Sequence, residues 1–383
     1  MSLPKVVVIF SNGNLLADIA AIDGIAGMLL TVDSPALIGV AKTVFNLADA
    51  ETQGFTEDDE PFAHRHIKEF YTEVAGNQEL WLMGTVDTMT MAQALDHTDI
   101  ESAVKLIKAA ESKIRLLGIA RKPDVGYDPG IEFLDTDVSA AVLAAKTFCE
   151  AQLTALRPLR VLIEGRISDE DSTDFYEPNT AAVGYAGVVL GGSEDDGTAS
   201  IGLALGRAVK FPAHIKIGKV ANGPLSIPIA YIGTKNIKEL ANLEALHDKG
   251  YIVFMKHPQK AGVYFGKDNM ASIDDYRRLV YGRVVDKAAI IANAVYTEEI
   301  ESEVTVDPAT GFISELDIKH LEGAIRRQIN VNMADQISAL DVIINPAQDI
   351  INTETLTVKL EITPKGYTST IIVQIGLKAP TVS

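Results

Sequence analysis

Seven histidines and one cysteine are the side chains best suited to nucleophilic or metal chemistry, and their spacing assembles neither. His64 and His66 stand two apart, so on a helix they point to different faces. Cys149 falls among Val138, Ala141, Val142, Ala145 and Phe148, an apolar set at helical spacing that marks an inert, buried thiol. A single cysteine excludes an internal disulfide and any multi-cysteine metal site. Acidic loops at 57–60, 169–174 and 194–196 invite a cation. Asp169-x-Asp171-x-Thr173 starts like a calcium loop, but Asp174 stands where glycine belongs and Thr180 where the closing glutamate belongs. Solvated loops are the simpler reading, and no metal is expected.

Phosphate-binding signatures are also missing. Gly197–Gly202 is followed by Leu203 and lacks the lysine and hydroxyl of a P-loop. No Gly-x-Gly-x-x-Gly follows the apolar run Val6–Phe10. Gly197-Thr-Ala-Ser200-Ile-Gly202 has one residue too many before its serine for a nucleophile elbow. The glycine loop 191–197 carries three carboxylates, which repel phosphate. No cofactor is expected. A motif-poor cytosolic α/β enzyme acting on a small molecule, at the Phe10–Asn14 strand end or around His257, stays open as the alternative.

The elements that would position such groups alternate. The spacing predicts helices over 62–75, 100–110 and 136–156, and strands over 80–86, 114–120 and 160–164. Asp135 or Thr136 is placed to cap the third helix. This alternation specifies an α/β or mixed α+β fold around a covered sheet. Residues 201–209 read as a helix, and 212–228, broken by Gly218, Gly223 and prolines, as the best domain boundary. Beyond it the pattern predicts a helix over 236–247 stopped by Gly250, then a strand over 251–255. Two long helices follow, 274–299 and 316–340, the second with Lys319, Arg326 and Arg327 on its polar side. Alternating runs at 356–363 and 370–377, separated by Pro364-Lys-Gly366, read as a closing hairpin.

Composition limits the function classes. The 383 residues carry 52 acidic and 34 basic side chains, a net charge of −18. The first 100 residues hold 15 acidic and 4 basic ones, so the charge divides over two unlike surfaces. That balance opposes nucleic-acid binding, which needs clustered Lys and Arg. Neither a cleavable leader nor a membrane span is expected, because the apolar stretches 19–32 and 181–192 fall short of about 18 to 20 residues. What remains is assembly. Lys5–Phe10 and Thr370–Leu377 hold β-pairing capacity at the two ends of the chain. Each pairs within its own subunit or is donated to a neighbour's sheet.

The order of segments in the last 150 residues resembles the tail sheath subunits of contractile phage tails and contractile injection systems, nearest the short Bacteroidetes-type sheaths. The stretches that carry the resemblance are Asp248-Lys-Gly-Tyr-Ile-Val-Phe254, Gly262-Val-Tyr-Phe-Gly-Lys-Asp-Asn-Met-Ala-Ser272, Asp274-Asp-Tyr-Arg-Arg, Tyr281-Gly-Arg-Val-Val-Asp-Lys287, Ala324-Ile-Arg-Arg-Gln-Ile329 and the closing alternation. The resemblance implies a linking arm at 1–14, an outer α/β domain at 15–222, a sandwich-like assembly domain with flanking long helices at 223–365, and a linking strand at 366–383. It implies a non-enzymatic subunit, assembled in the bacterial cytoplasm, that polymerises with itself as rings around an inner tube protein. Baseplate and terminal cap proteins would be its further partners. Val6, Val8, Phe10, Ile371, Val373 and Ile375 would carry the linkage. Lys319, Arg326 and Arg327 would either face the tube or form a solvated helix face that Glu322 partly balances.

Overall fold

A computed structural model of the chain describes residues 23–122, 134–167, 169–172 and 174–377. Its strands are β1 (Ala26–Thr31), β2 (Lys42–Val44), β3 (Leu80–Thr85), β4 (Leu116–Ala120), β5 (Arg160–Gly165), β6 (Ala186–Leu190), β7 (Tyr231–Ile232), β8 (Lys235–Asn236), β9 (Tyr251–Met255), β10 (Tyr264–Phe265), β11 (Ile337–Ile344) and β12 (Val358–Pro364). Its α-helices are α1 (Leu47–Thr52), α2 (Pro61–Val74), α3 (Met91–Ala94), α4 (Ala103–Ala109), α5 (Thr136–Thr154), α6 (Ile201–Val209), α7 (Leu243–Asp248), α8 (Leu279–Thr297), α9 (Glu315–Met333) and α10 (Ile350–Thr353).

Eight strands form one sheet in the order β10-β9-β6-β5-β4-β1-β3-β2. The six from β9 to β3 run parallel, and the two edge strands run antiparallel to their neighbours. Every residue of β1, β4, β5 and β6 is buried, as parallel strands require when both faces are covered. A side chain added at Gly27 would meet Leu106 of α4, and one added at Gly118 would meet Ile201 and Leu205 of α6. Gly118 lies opposite Met28 in the register, so these two helices cover opposite faces. The fold class is the mixed α/β arrangement that the alternation predicts. Strands from both sides of residue 222 share this sheet, since β9 and β10 extend it beyond β6.

Helix α2 lies on α6 at very short range. A Cβ at Gly202 would sit 1.8 Å from the His66 carbonyl oxygen, and one at Gly206 would sit 2.8 Å from that of Phe70. Two glycines four residues apart thus let the helix backbones touch.

Several boundaries differ from the sequence expectations. The helix expected over 236–247 is only Leu243–Asp248, because Gly233, with φ of 59°, turns β7 back onto β8. The helix expected from 274 begins at Leu279; Asp274 instead takes the Tyr276 amide in a turn. The helix expected over 316–340 is capped by Ser314, ends at Met333 and gives way to β11. The closing hairpin is a correction as well. β12 pairs with β11, Leu340 opposite Ile362 and Val342 opposite Leu360, and residues 365–377 form no strand. No helix among the described residues is long and apolar enough to cross a membrane.

Candidate functional site

The chain order reverses between β1 and β4, the place where doubly wound sheets hold ligands beyond their carboxyl ends. Here the protein's own carboxylates fill that edge. Glu164, at the end of β5, accepts hydrogen bonds from the amides of Arg121 (2.9 Å) and Ala199 (3.2 Å). Glu60 accepts from the amides of Asp33 (2.8 Å) and Ser34 (2.6 Å). Glu69 accepts from the hydroxyls of Ser193 and Ser200. Burial pushes the Glu164 and Glu69 carboxyls above the usual range. Among the described residues, the Arg121, Ala199, Asp33 and Ser34 amides at this edge are thus already bonded, and Asp196 of the acidic glycine loop is tied down by Arg65 at 2.6 Å. His64 pairs with Glu51 and His66 packs edge-on against Phe62, so the two histidines share no ligand geometry. Cys149 is buried, which pushes its thiol up and suits a core role.

At the opposite edge the sheet is bolted to the C-terminal helices. Arg160, the first residue of β5, forms a two-bond pair with Asp286 of α8. Arg283 donates to the carbonyl oxygens of Ala208 (2.8 Å) and Asp23 (3.0 Å), and Lys287 reaches the Asp23 carboxylate at 3.3 Å. The void left among these groups is about 10 Å³, room for one water at most. Sequence reading saw α8 as an apolar stripe and missed this network. Its signal was there: Arg283, Asp286 and Lys287 interrupt an otherwise apolar helix.

On the far side of α8 the apolar stripe finds its partners. Val284, Ala288 and Ile291 pack with Ile325, Ile329 and Met333 of α9 and with Leu340 and Val342 of β11. Leu360 and Ile362 of β12 close the same cluster. The β11–β12 ribbon therefore has one face on two helices, while its outer edges join no strand among the described residues. Beside β12 runs an apolar groove of about 600 Å³, bounded by Leu360 and Ile362 on one side and Tyr281, Val284 and Ala288 on the other. An unpaired strand edge above an apolar floor is the geometry that accepts an added strand.

The sequence candidates fall around this ribbon. Ile371, Val373 and Ile375 follow it and are 78%, 71% and 92% exposed, in no ladder among the described residues. Val6, Val8 and Phe10, like the Phe10–Asn14 strand end, lie outside the described residues. Arg326 turns back to the ribbon and donates to the Leu340 carbonyl oxygen at 3.0 Å. Lys319 pairs with Glu322, and Arg327 is exposed on the outer side of α9. His257 packs edge-on against Tyr264 at 5.1 Å. Sequence reading also missed Tyr367, whose hydroxyl donates to the His214 carbonyl oxygen at 2.6 Å, with its ring over the Lys216 ammonium.

Solved structures show where this architecture occurs. The helical sheath of the anti-feeding prophage in its contracted state aligns at 15% identity over 98% of this chain and 99% of its own, with a TM-score of 0.63. The contracted PVC sheath complex, an extracellular contractile injection system, aligns at 12% identity over 98% of each chain, again at 0.63. The sheath tail protein of Desulfitobacterium hafniense aligns at 12% over 94% of this chain and 100% of its own, at 0.52. The likeness is one of fold, along nearly the whole length. No curated protein matches in sequence. The family profile described as DUF2586, N-terminal domain, matches residues 3–269, and that described as DUF2586, C-terminal domain, matches 275–382. Matched in order along nearly all its length, the chain belongs to the DUF2586 family.

Proposed function

We propose that this protein is the structural subunit of a contractile sheath, polymerising with itself as stacked rings and working without catalysis. One observation carries the reading: a two-stranded ribbon, open at both edges among the described residues and seated on α8 and α9, with a long exposed apolar segment leaving beyond it. In this reading the doubly wound sheet is the outer body and the α8–β12 unit is the assembly domain. The N-terminal segment with Val6, Val8 and Phe10, and the C-terminal one with Ile371, Val373 and Ile375, add to ribbons of neighbouring subunits. Each added strand contributes roughly four to six ladder hydrogen bonds of about 0.5 to 1.5 kcal/mol. Such a mesh lets bodies rotate between two packings while the linkages persist, the extended packing being kinetically trapped. The anti-feeding prophage and PVC neighbours belong to contractile particles, which supports an inner tube protein, a baseplate and a terminal cap as partners. Assembly in the bacterial cytoplasm, before a virion or tail-like particle is released, follows from the same reading.

Electron microscopy of the purified chain, alone and with its tube protein, tests this. Hollow tubes or ring stacks are expected. A small closed oligomer that never forms tubes under any condition would overturn it.

A further inference from the structure

The root of the C-terminal arm crosses a second and larger groove. It has a volume of about 1070 Å³ and lies beside β9 and β10, with Lys365 to Ser369 along one wall. Tyr367 holds that wall in place: its hydroxyl bonds the His214 carbonyl, and its ring meets Lys216 at 4.5 Å and Tyr281 at 6.0 Å. The floor is apolar, with Val253, Met255 and Phe265. The rim is basic. Lys216, Lys219, Lys267 and Lys365 face two carboxylates, Glu244 and Asp335, on a protein whose net charge is −18. Lys216 is 3.9 Å from Asp268, whereas Lys219, Lys267 and Lys365 join no ion pair among the described residues. Burial lowers His214 and His247, so the positive field at neutral pH comes from the lysines.

A matching surface lies at the other end of the assembly domain. Thr297-Glu-Glu-Ile-Glu-Ser-Glu303, directly after α8, exposes Glu298, Glu301 and Glu303 around a half-exposed Ile300. Those three glutamates join no ion pair among the described residues. The run is bracketed by Tyr296 and Val304, which pack against the apolar cluster of Ile313, Ile318, Leu321 and Ile344, the last residue of β11.

We propose that this basic groove receives the acidic 297–303 segment of a second copy of the chain, Ile300 on the apolar floor and the glutamates on the lysine rim. The contact rests on the strand-donation reading and adds a second bond to it. An arm that leaves at Tyr367 and pairs within about eight residues reaches no more than about 26 Å, so the neighbour's ribbon lies close to the groove. Laid antiparallel on the free edge of β11, that arm begins opposite Ile344, beside the neighbour's acidic run. Opposed fields of this kind steer encounter and fix register, and salt weakens them.

The test uses full-length chain. Charge reversal by Lys219→Glu with Lys267→Glu raises the concentration needed for tube formation at least about tenfold, and so does Glu301→Lys with Glu303→Lys; combining the two sets restores it. A chain carrying Lys267→Cys and Glu301→Cys, its native Cys149 being buried, forms inter-subunit disulfides in oxidised tubes. Normal tubes from both reversal variants, without cross-links from the cysteine pair, would overturn the contact and leave the sheath reading standing. Absence of any tube from the parent chain would remove the sheath reading, and this contact with it.

Discussion

Arg160 and Asp286, 126 residues apart, meet through two hydrogen bonds, Nε to Oδ2 at 2.7 Å and Nη2 to Oδ1 at 2.6 Å, in a buried setting between sheet and helix. The guanidinium also donates to the Gly184 carbonyl and stands over the rings of Tyr185 and Tyr276. Gly282 makes room for it, since a Cβ there would lie 2.6 Å from Arg160 Nε. The pair joins the segments matched by the N-terminal and C-terminal family profiles. In the sheath reading proposed above, rotation of the body reaches the α8–β12 unit through this joint.

Breaking that joint from one side strands a buried charge. Arg160→Met is expected to destabilise the subunit by about 3 to 5 kcal/mol, whereas Arg160→Met with Asp286→Leu is expected to recover most of the loss. Urea unfolding of the unassembled chain measures both. Equal losses in the single and double variants would mean that the charges are not coupled.

Close contact between α2 and α6 sets a second test. Gly202→Ala places a methyl 1.8 Å from the His66 carbonyl oxygen, so the helices must part. The expected cost is about 1 to 3 kcal/mol or more, because backbone cannot step aside as a side chain can. Gly323→Ala on α9 meets nothing within 4 Å and is expected to stabilise by about 0.5 to 1 kcal/mol. The opposite signs separate crowding from helix propensity.

His66 gives the pH dependence a sign. Burial first, then Arg65, holds its pKa well below the ordinary value, against a smaller pull from Asp196. The unfolded chain takes up a proton below about pH 6.5 that the folded one refuses, so stability from this group is intact above that pH. It is lost as pH falls toward the folded value, by up to about 1.4 kcal/mol per pH unit. Glu69 on the same helix works in the other direction, because its raised pKa favours the protonated folded form. The difference between parent and His66→Leu profiles isolates the histidine. Neither ring nitrogen has a hydrogen-bond partner among the described residues, so leucine forfeits none there. Between pH 7 and 5.5 the variant is expected to lose less stability than the parent, and parallel profiles would refute the assignment.

Much of the body was legible because its signals are local. Helix α5 shows its stripe from Val138 to Gln152, and β9 begins directly after Gly250. The α8–β12 unit was harder for a specific reason. Ile329, Met333, Ile337 and Leu340 keep helical spacing across the real end of α9, so the start of β11 was hidden inside a helix pattern. With β11 unseen, β12 had only residues 370–377 as a visible partner. Tyr367 explains why those residues do not fold back: its bond to His214 draws the chain away from β12. The charged residues of α8 were visible in the sequence, but their pairing was not, because Arg160–Asp286 and Lys287–Asp23 each span more than 100 residues.

On the polar face of α9, Arg326 and Arg327 are both exposed, but Arg326 also bonds the Leu340 carbonyl. In the sheath reading proposed above, Arg327 is then the residue to meet a tube. Arg327→Glu is expected to weaken co-assembly with an acidic tube, most visibly at low salt, while the chain still self-assembles. Arg326→Ala is expected to loosen β11 and impair self-assembly first. Pelleting with and without tube protein distinguishes the two, and identical behaviour would remove the division.

Truncation after Ser369 addresses the linkage itself. The cut leaves Tyr367 and its bond to His214 in place, so the arm root and the groove beside it stay built. The described residues beyond it expose most of Ile371, Ile372, Val373, Ile375 and Leu377 and add little buried apolar surface to the described part of their own subunit. Unfolding of the truncated chain is therefore expected to match the parent within about 0.5 kcal/mol. Polymerisation is expected to fail, because each subunit loses a donated strand and each neighbouring ribbon keeps an open edge above its apolar helices. Adding back the full-length chain supplies arms to only some ribbons, so mixed samples are expected to give short tubes whose length falls with the truncated fraction. Normal tubes from the truncated chain alone, by microscopy and sedimentation, would end the strand-donation account for this terminus.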